Sequence, residues 1–125
     1  MERIPDFDTC DLARAVESLE ASEIDALPFG VIRLNRDLTV QFFSRREAAL
    51  SGYGQRPTRG MNFFTQIAPC MNTDSVRGAL DRAIAQGDFD LEFLHVGDFD
   101  DASRSLHIRA QPAAGGGAWL FINRE

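Results

Sequence analysis

Hydrophobic and polar positions follow a helical spacing in the first part of the chain. In "TCDLARAVESLEASEIDAL", residues 9–27, the apolar positions Leu12, Val16 and Leu19 recur every three or four residues. This spacing predicts one amphipathic helix, with Thr9 as its N-cap and Asp11 in the first turn, where a carboxylate suits the helix dipole. We expect residues 1–26 to form an N-terminal cap on a core of residues 27–125, within a single domain overall.

The pattern then changes to short apolar runs. In "PFGVIRLNRDLTVQFFS", residues 28–44, two such runs flank a polar turn at 35–37, which predicts a β-hairpin. The segment "RREAALSGYGQRPTRG", residues 45–60, predicts a short helix that gives way to a loop at Gly52, Gly54 and Pro57.

One longer helix and three strands follow. "TDSVRGALDRAIAQG", residues 73–87, has an apolar face, with Thr73 as candidate N-cap and Gly87 at the C-terminal stop. The stretches 89–96, 104–112 and 118–125 alternate or nearly alternate between turn-like segments. Because helices are grouped between strands and do not alternate with them, the order predicts an α+β fold with an antiparallel sheet.

Composition excludes several functional classes. A chain of 125 residues with 44% hydrophobic content is long enough for one stable core. Its net charge of −6 argues against nucleic acid as a partner, because such binding depends on Lys and Arg neutralising phosphates. Two cysteines make no disulfide framework, and no apolar run approaches the roughly 20 residues that span a bilayer. The N-terminus lacks the build of a signal peptide. We expect a cytoplasmic monomer without membrane contact.

The most unusual segment is "MNFFTQIAPCMN", residues 61–72, where Cys70 directly follows Pro69 in an apolar, aromatic-rich run. Proline fixes its own φ and restricts the preceding residue, so the backbone that presents the sulfur is steadied. Three interpretations are open at this point: an inert core thiol, a redox or metal ligand, and an attachment point for a covalent group.

The motif "NFFTQIAPC", with "LPFGVIRL" and "EAALSG" before it and "WLFINRE" at the end, resembles the photoactive yellow protein family of blue-light receptors built on a PAS domain. The resemblance runs over essentially the whole chain. It implies the PAS fold, a central antiparallel five-stranded sheet with flanking helices and an N-terminal helical cap. It also implies a photoreceptor and no enzymatic turnover.

The resemblance further implies a cofactor. In that family the matching cysteine carries 4-hydroxycinnamic acid (p-coumaric acid) as a thioester, which falls here on Cys70. Glu47 takes the position of a protonated glutamate that donates a hydrogen bond to the phenolic end in the dark. After light-driven trans-to-cis isomerisation Glu47 would give up its proton, and the buried carboxylate would loosen the cap as a signal to an unknown downstream protein. The bland alternative for Glu47 is a helix-surface glutamate with an i,i+4 partner.

Two positions depart from the family pattern. Phe43 stands where a tyrosine usually donates a second hydrogen bond to the phenolate, so we expect a raised pKa of the chromophore phenol. Ser51 matches a threonine whose side chain contacts that tyrosine hydroxyl. Because Phe43 has no hydroxyl, two orientations of Ser51 stay open, one toward Glu47 and one toward the chromophore. Tyr53 stands where an arginine covers the pocket in a well-known relative; the alternative is a half-exposed loop tyrosine.

The remaining pocket positions transfer from the same resemblance and would otherwise be read as ordinary core or, for histidine, as a surface group. They are Ile32, Phe63, Ile67, Ala68, Pro69, Met71 and His95.

Two other functional classes stay open. One is a PAS ligand-binding or protein-interaction module without pigment, including an engineered tag for a fluorogenic dye. The other is a thiol or metal function that uses Cys10, Cys70, His95 and His107, whose spacings match no familiar zinc motif.

Overall fold

A computed structural model describes residues 5–97 and 103–124. Its α-helices are α1 (Leu12–Glu17), α2 (Ala21–Asp25), α3 (Arg45–Ser51) and α4 (Ala79–Gln86). Its strands are β1 (Gly30–Leu34), β2 (Val40–Phe43), β3 (Leu91–Val96), β4 (Ser105–Pro112) and β5 (Ala118–Arg124). Across these described ranges, no helix is long and apolar enough to cross a membrane.

The five strands form one sheet in the order β2-β1-β5-β4-β3, and each neighbouring pair is antiparallel. The chain's last strand, β5, therefore lies at the centre, between β1 and β4. The predicted α+β class, the hairpin of β1 and β2, and the three C-terminal strands are all confirmed. In the hairpin turn, the Asn35 side chain accepts hydrogen bonds from the backbone N–H groups of Asp37 and Thr39.

Alternation along the strands divides the core into two layers. On one side, which we call the pocket face, strand residues pack with the segment around residues 63–71. On the other side, the cap face, Val31, Trp119 and Phe121 pack with the N-terminal helices. Since successive side chains of a strand point to opposite sides, β5 contributes to both layers.

The N-terminal cap differs from its prediction. It contains two short helices, since the chain breaks after α1 and restarts at Glu20, which forms a capping box with Glu23. Thr9 is not the N-cap; that position is Asp11, and the Thr9 hydroxyl instead accepts from the backbone N–H of Asp6. The hydrogen bond from the backbone N–H of Glu20 to the Glu23 side chain favours a new helix start at this point, so one continuous helix does not form. The boundary at residue 26 stays a prediction.

Strand β4 anchors this cap by hydrogen bonds. The Arg109 guanidinium donates to the carbonyls of Phe7, Thr9 and Cys10. Gln111 accepts from the backbone N–H of Ala13 at 2.8 Å and donates to the carbonyl of Cys10 at 2.9 Å. Both side chains are buried, so polar groups of the sheet satisfy the first-turn N–H of Ala13 and carbonyls of the segment that precedes α1.

The helix expected at residues 73–87 is present with an altered first turn. The Thr73 hydroxyl accepts from the N–H of Val76, and Gly87 ends the helix in the left-handed conformation, as predicted. Residues 74–78 form a π-helical turn before α4 begins.

Candidate functional site

A cavity of about 320 Å³ opens on the pocket face of the sheet. Its size lies within the range of small-molecule sites, roughly 300–1,000 Å³. Its walls come from strands β2 to β5, helix α3 and the turn that carries Cys70. The lining residues are Phe43, Glu47, Phe63, Ala68, Cys70, Met71, His95, Val96, Gly97, Leu106, Ile122 and Arg124.

Cys70 lies in a single 3-10 turn, Pro69–Met71, that follows a π-helical turn at Phe63–Ile67. The side chain of Asn62 caps the π-helical turn by accepting from the N–H groups of Phe64 and Thr65, both at 3.0 Å. The cysteine is exposed and not disulfide-bonded, and it lines the cavity. The interpretation of Cys70 as a buried core thiol is therefore wrong, and the reactivity of its sulfur stays a prediction.

Glu47 and Arg124 form a buried ion pair at the cavity wall. The two guanidinium nitrogens Nη1 and Nη2 donate to Oε1 and Oε2 at 2.7 and 2.8 Å. The side chains are 7% exposed for Arg124 and 3% for Glu47. An adjacent guanidinium favours the ionised form of a carboxyl. The alternative of Glu47 as a surface glutamate is wrong. The carboxyl that the family resemblance predicts to be neutral lies beside a cationic partner, Arg124.

Two local features position Glu47. Helix α3 begins after Ser44, whose buried hydroxyl accepts from the N–H groups of Glu47 and Val31, both at 3.1 Å, and so ties the helix to β1. Opposite it, β1 begins at Gly30, where a Cβ would overlap Oε1 of Glu47. Glycine at this position therefore leaves the room that the carboxylate occupies.

Phe43 lines the cavity, and the ring of Tyr53 packs against it at 5.7 Å between centroids. Tyr53 is buried, so the alternative of a half-exposed loop tyrosine is wrong. Its hydroxyl donates to the carbonyl of Pro57, and Arg56 lies over its ring. The sequence did not decide the partner of the Ser51 hydroxyl. In the structure this hydroxyl accepts from the N–H of Tyr53 at 3.1 Å.

The predicted site residues divide into two groups. Those that line the cavity are Phe43, Glu47, Phe63, Ala68, Cys70, Met71 and His95. Those outside the lining are Ile32, Ser51, Tyr53, Ile67 and Pro69; the first four are buried beneath it and Pro69 is exposed.

His95 brings an imidazole into the cavity. Its Nε2 is buried and has no hydrogen-bond partner within the described part of the chain. Among these same residues, no three His, Cys, Asp or Glu side chains lie together as a metal site. His107 is occupied elsewhere, since its Nε2 lies 3.0 Å from Glu92.

Arg124 is the functional candidate that sequence reasoning missed. Leu120 and Ile122 belong to the pocket-face core. Because strand side chains alternate with a period of two, the same face continues to Arg124. The signal was therefore present in "WLFINRE", where a charged residue follows two apolar ones at the same parity.

Comparison with known proteins supports the PAS fold. The family model described as PAS fold matches residues 24–125. A photoactive yellow protein of Cereibacter sphaeroides is 31% identical over 128 residues, covering 99% of this chain and 99% of that protein. The chain belongs to the photoactive yellow protein family.

Other members of the photoactive yellow protein family are also similar. The protein of Rhodothalassium salexigens is 29% identical, covering 94% of this chain and 95% of its own. The crystal structure of the photoactive yellow protein domain of a sensor histidine kinase from Rhodospirillum centenum superposes with a TM-score of 0.80 at 31% identity. That match covers 89% of this chain and 98% of the domain.

The close approach at Gly30 generates a test. We expect Gly30→Ala to lower the free energy of unfolding by about 1–3 kcal/mol, because the added methyl displaces the Glu47 carboxylate from a packed site. Gly78→Ala is the control: Gly78 has helical dihedrals, and the nearest atoms to its added methyl belong to the exposed side chains of Asp74 and Arg82, which can move aside into solvent. Urea unfolding of both variants measures the effect. A Gly30→Ala protein as stable as its parent would contradict the described packing.

Proposed function

We propose that this chain is a blue-light photoreceptor that carries p-coumaric acid as a thioester on Cys70. The observation that carries the proposal is the cavity itself. It combines an accessible thiol on one wall with a buried pair of opposite charges on another. Family membership supports the same reading, since the relatives are photoactive yellow proteins.

The donor set of the cavity fits such a group. A thiol is the side chain suited to form a thioester. Phe43 and Phe63 supply apolar walls for a flat conjugated ring. Glu47 and Arg124 supply an acceptor and donors for a phenolic oxygen, which an apolar cavity alone would leave unsatisfied.

Attachment is a simple acyl transfer. The Cys70 thiolate attacks the carbonyl carbon of an activated coumaroyl ester, a carbon–sulfur bond forms, and the bond to the leaving group breaks. The thiol proton passes to the solvent or to the leaving group, so no oxidant or reductant is needed.

When bound, this group supplies absorption of blue light and trans-to-cis isomerisation about its double bond. Glu47 holds a proton at the phenolic end of the cavity in the dark and releases it afterwards. Proton release moves the negative charge of the pocket from the phenolic oxygen to Glu47, which then pairs with Arg124. Rearranging charges in a buried site involves free energies of several kcal/mol, and we assign the driving force of the signal to this rearrangement.

Release of the N-terminal cap is the proposed output. Strand β5 supports this link because it carries Arg124 on the pocket face and Trp119 on the cap face. The Trp119 indole N–H donates to Glu17 of α1 at 2.8 Å. A shift of β5 would therefore reach α1 directly. The protein that reads the change is a further signalling component, and we expect the receptor to act as a cytoplasmic monomer without turnover chemistry.

The attachment test compares two exposed cysteines. We expect purified apoprotein mixed with an activated p-coumaric ester to gain one coumaroyl mass on Cys70 and a visible band that bleaches under blue light and recovers. Cys70→Ala should lose both. Cys10→Ala should retain both, because Cys10 is exposed but lies outside the cavity. Intact mass spectrometry, peptide mapping and absorption spectra measure the outcome.

If Cys70→Ala and Cys10→Ala both keep the coumaroyl mass, or both lose it equally, the ester acylates accessible thiols without a specific binding site. No adduct and no colour in the parent protein would favour the alternative function, a pigment-free PAS module whose cavity binds a non-covalent ligand or a dye.

The missing hydroxyl at Phe43 generates a second test. A hydrogen bond to a charged group contributes about 1.5–3 kcal/mol. We therefore expect Phe43→Tyr to lower the apparent pKa of the attached phenol by about one to two pH units. Phe42→Tyr is the control, because the neighbouring Phe42 packs with the cap-face core. Absorption titrations of both adducts give the pKa. A parent protein with one anionic band down to strongly acidic pH would contradict the expectation.

A further inference from the structure

The cavity has a definite balance of charge. Among the lining residues that the structure describes, Arg124 on β5 carries the permanent positive charge and Glu47 on α3 the carboxylate. The other titratable lining groups are the imidazole of His95 on β3 and the thiol of Cys70. Nearby, Arg104 donates to the backbone carbonyl of Leu50 at the end of α3. The wall from β2 contributes Phe43, and Gly30 of β1 packs against Glu47; neither carries a side-chain charge.

The Glu47–Arg124 pair is electrically neutral by itself. Both side chains are more than nine-tenths buried and joined by two hydrogen bonds of 2.7 and 2.8 Å. A second anion beside them would leave a net negative charge in a poorly solvated site. When two acidic groups share such a site, the protonation of one is strongly coupled to the other.

We propose that Arg124 is the counter-ion that fixes the pocket at one negative charge, which Glu47 and the phenol of the bound chromophore share. This inference rests on the proposed function. Arg124 is thus a positioning residue that acts through the two acidic groups beside it. While Arg124 is present, either the phenol or Glu47 is ionised, and ionising one favours protonation of the other.

The proposal gives Glu47 a different effect from that of a simple hydrogen-bond donor. A donor stabilises the phenolate, so replacing the carboxyl by an amide would raise the phenol pKa. A competitor for the same counter-ion does the opposite, because its removal leaves Arg124 to the phenolate alone. Phe43 makes this competition visible, since no tyrosine hydroxyl at that position adds to the stability of the phenolate.

The experiment uses Glu47→Gln, Arg124→Met and the double variant, each acylated with an activated p-coumaric ester and titrated by absorption. We expect Arg124→Met to raise the apparent phenol pKa by at least one unit, a tenfold change in the ratio of anion to neutral form. We expect Glu47→Gln to lower it by a similar amount.

Two controls separate this effect from others. Arg46→Met removes the same charge from an exposed neighbour on α3 and should leave the phenol pKa within a few tenths of a unit. His95→Phe should keep the opposite responses of Arg124→Met and Glu47→Gln, which shows that the imidazole is not the group that titrates.

A readout on the apoprotein tests the pair without the chromophore. Each single variant should lower the folding equilibrium constant at least tenfold, because it leaves a buried partner unpaired, and the double variant should lose less than the product of the two. Urea unfolding of the four proteins measures this coupling.

The outcomes distinguish the inference from the function on which it rests. Opposite shifts of the phenol pKa, with coupling in the apoprotein, support the inference. Shifts in the same direction, or changes below twofold in the band ratio, overturn it while an adduct on Cys70 still supports the photoreceptor. Absence of any adduct overturns both.

Discussion

The arrangement of the site depends on a buried ion pair between helix α3 and the end of the central strand. Glu47 and Arg124 lie on elements far apart in the chain, and each is buried by the same wall of the cavity. A buried charge is stable only with a well-aligned partner, so both elements must keep their relative position. Ser44 and Gly30 serve this requirement, one by capping α3 against β1 and the other by leaving space for the carboxylate.

The same strand connects the cavity with the cap. Residues of one parity on β5 line the cavity and those of the other parity pack under α1 and α2. Arg109 and Gln111 on β4 repeat this division, since they hold cap backbone groups while Leu106, Ile108 and Ala110 face the pocket side. The pocket face and the cap face are therefore separated by a single layer of β-sheet.

Much of the fold could be predicted from the sequence because local signals agree with the tertiary structure. The strand alternation, the turn at Asn35 and the helix limits at Thr73 and Gly87 are of this kind. The single N-terminal helix was wrong, because apolar spacing does not register a break that the Glu20–Glu23 capping box favours. The π-helical turns at 63–67 and 74–78 have no sequence pattern that separates them from ordinary helix.

At the site, the family resemblance pointed to Cys70, Glu47 and Phe43, and all three line the cavity. It also pointed to Ile32 and Ile67, which are core residues outside the lining. Arg124 was missed because its partner is 77 residues away in sequence: strand parity places its side chain on the pocket face, and the hydrogen bonds to Glu47 follow only from the tertiary structure.

The decisive measurement is the charge state of Glu47 in the apoprotein. Infrared spectra at neutral pH, with the Glu47 signal assigned by difference against Glu47→Gln, report whether this carboxyl is protonated. Because Arg124 stabilises the ionised form, we expect a carboxylate in the parent protein and the C=O stretching band of a protonated carboxyl in Arg124→Met. A protonated Glu47 in the parent protein at neutral pH would contradict it.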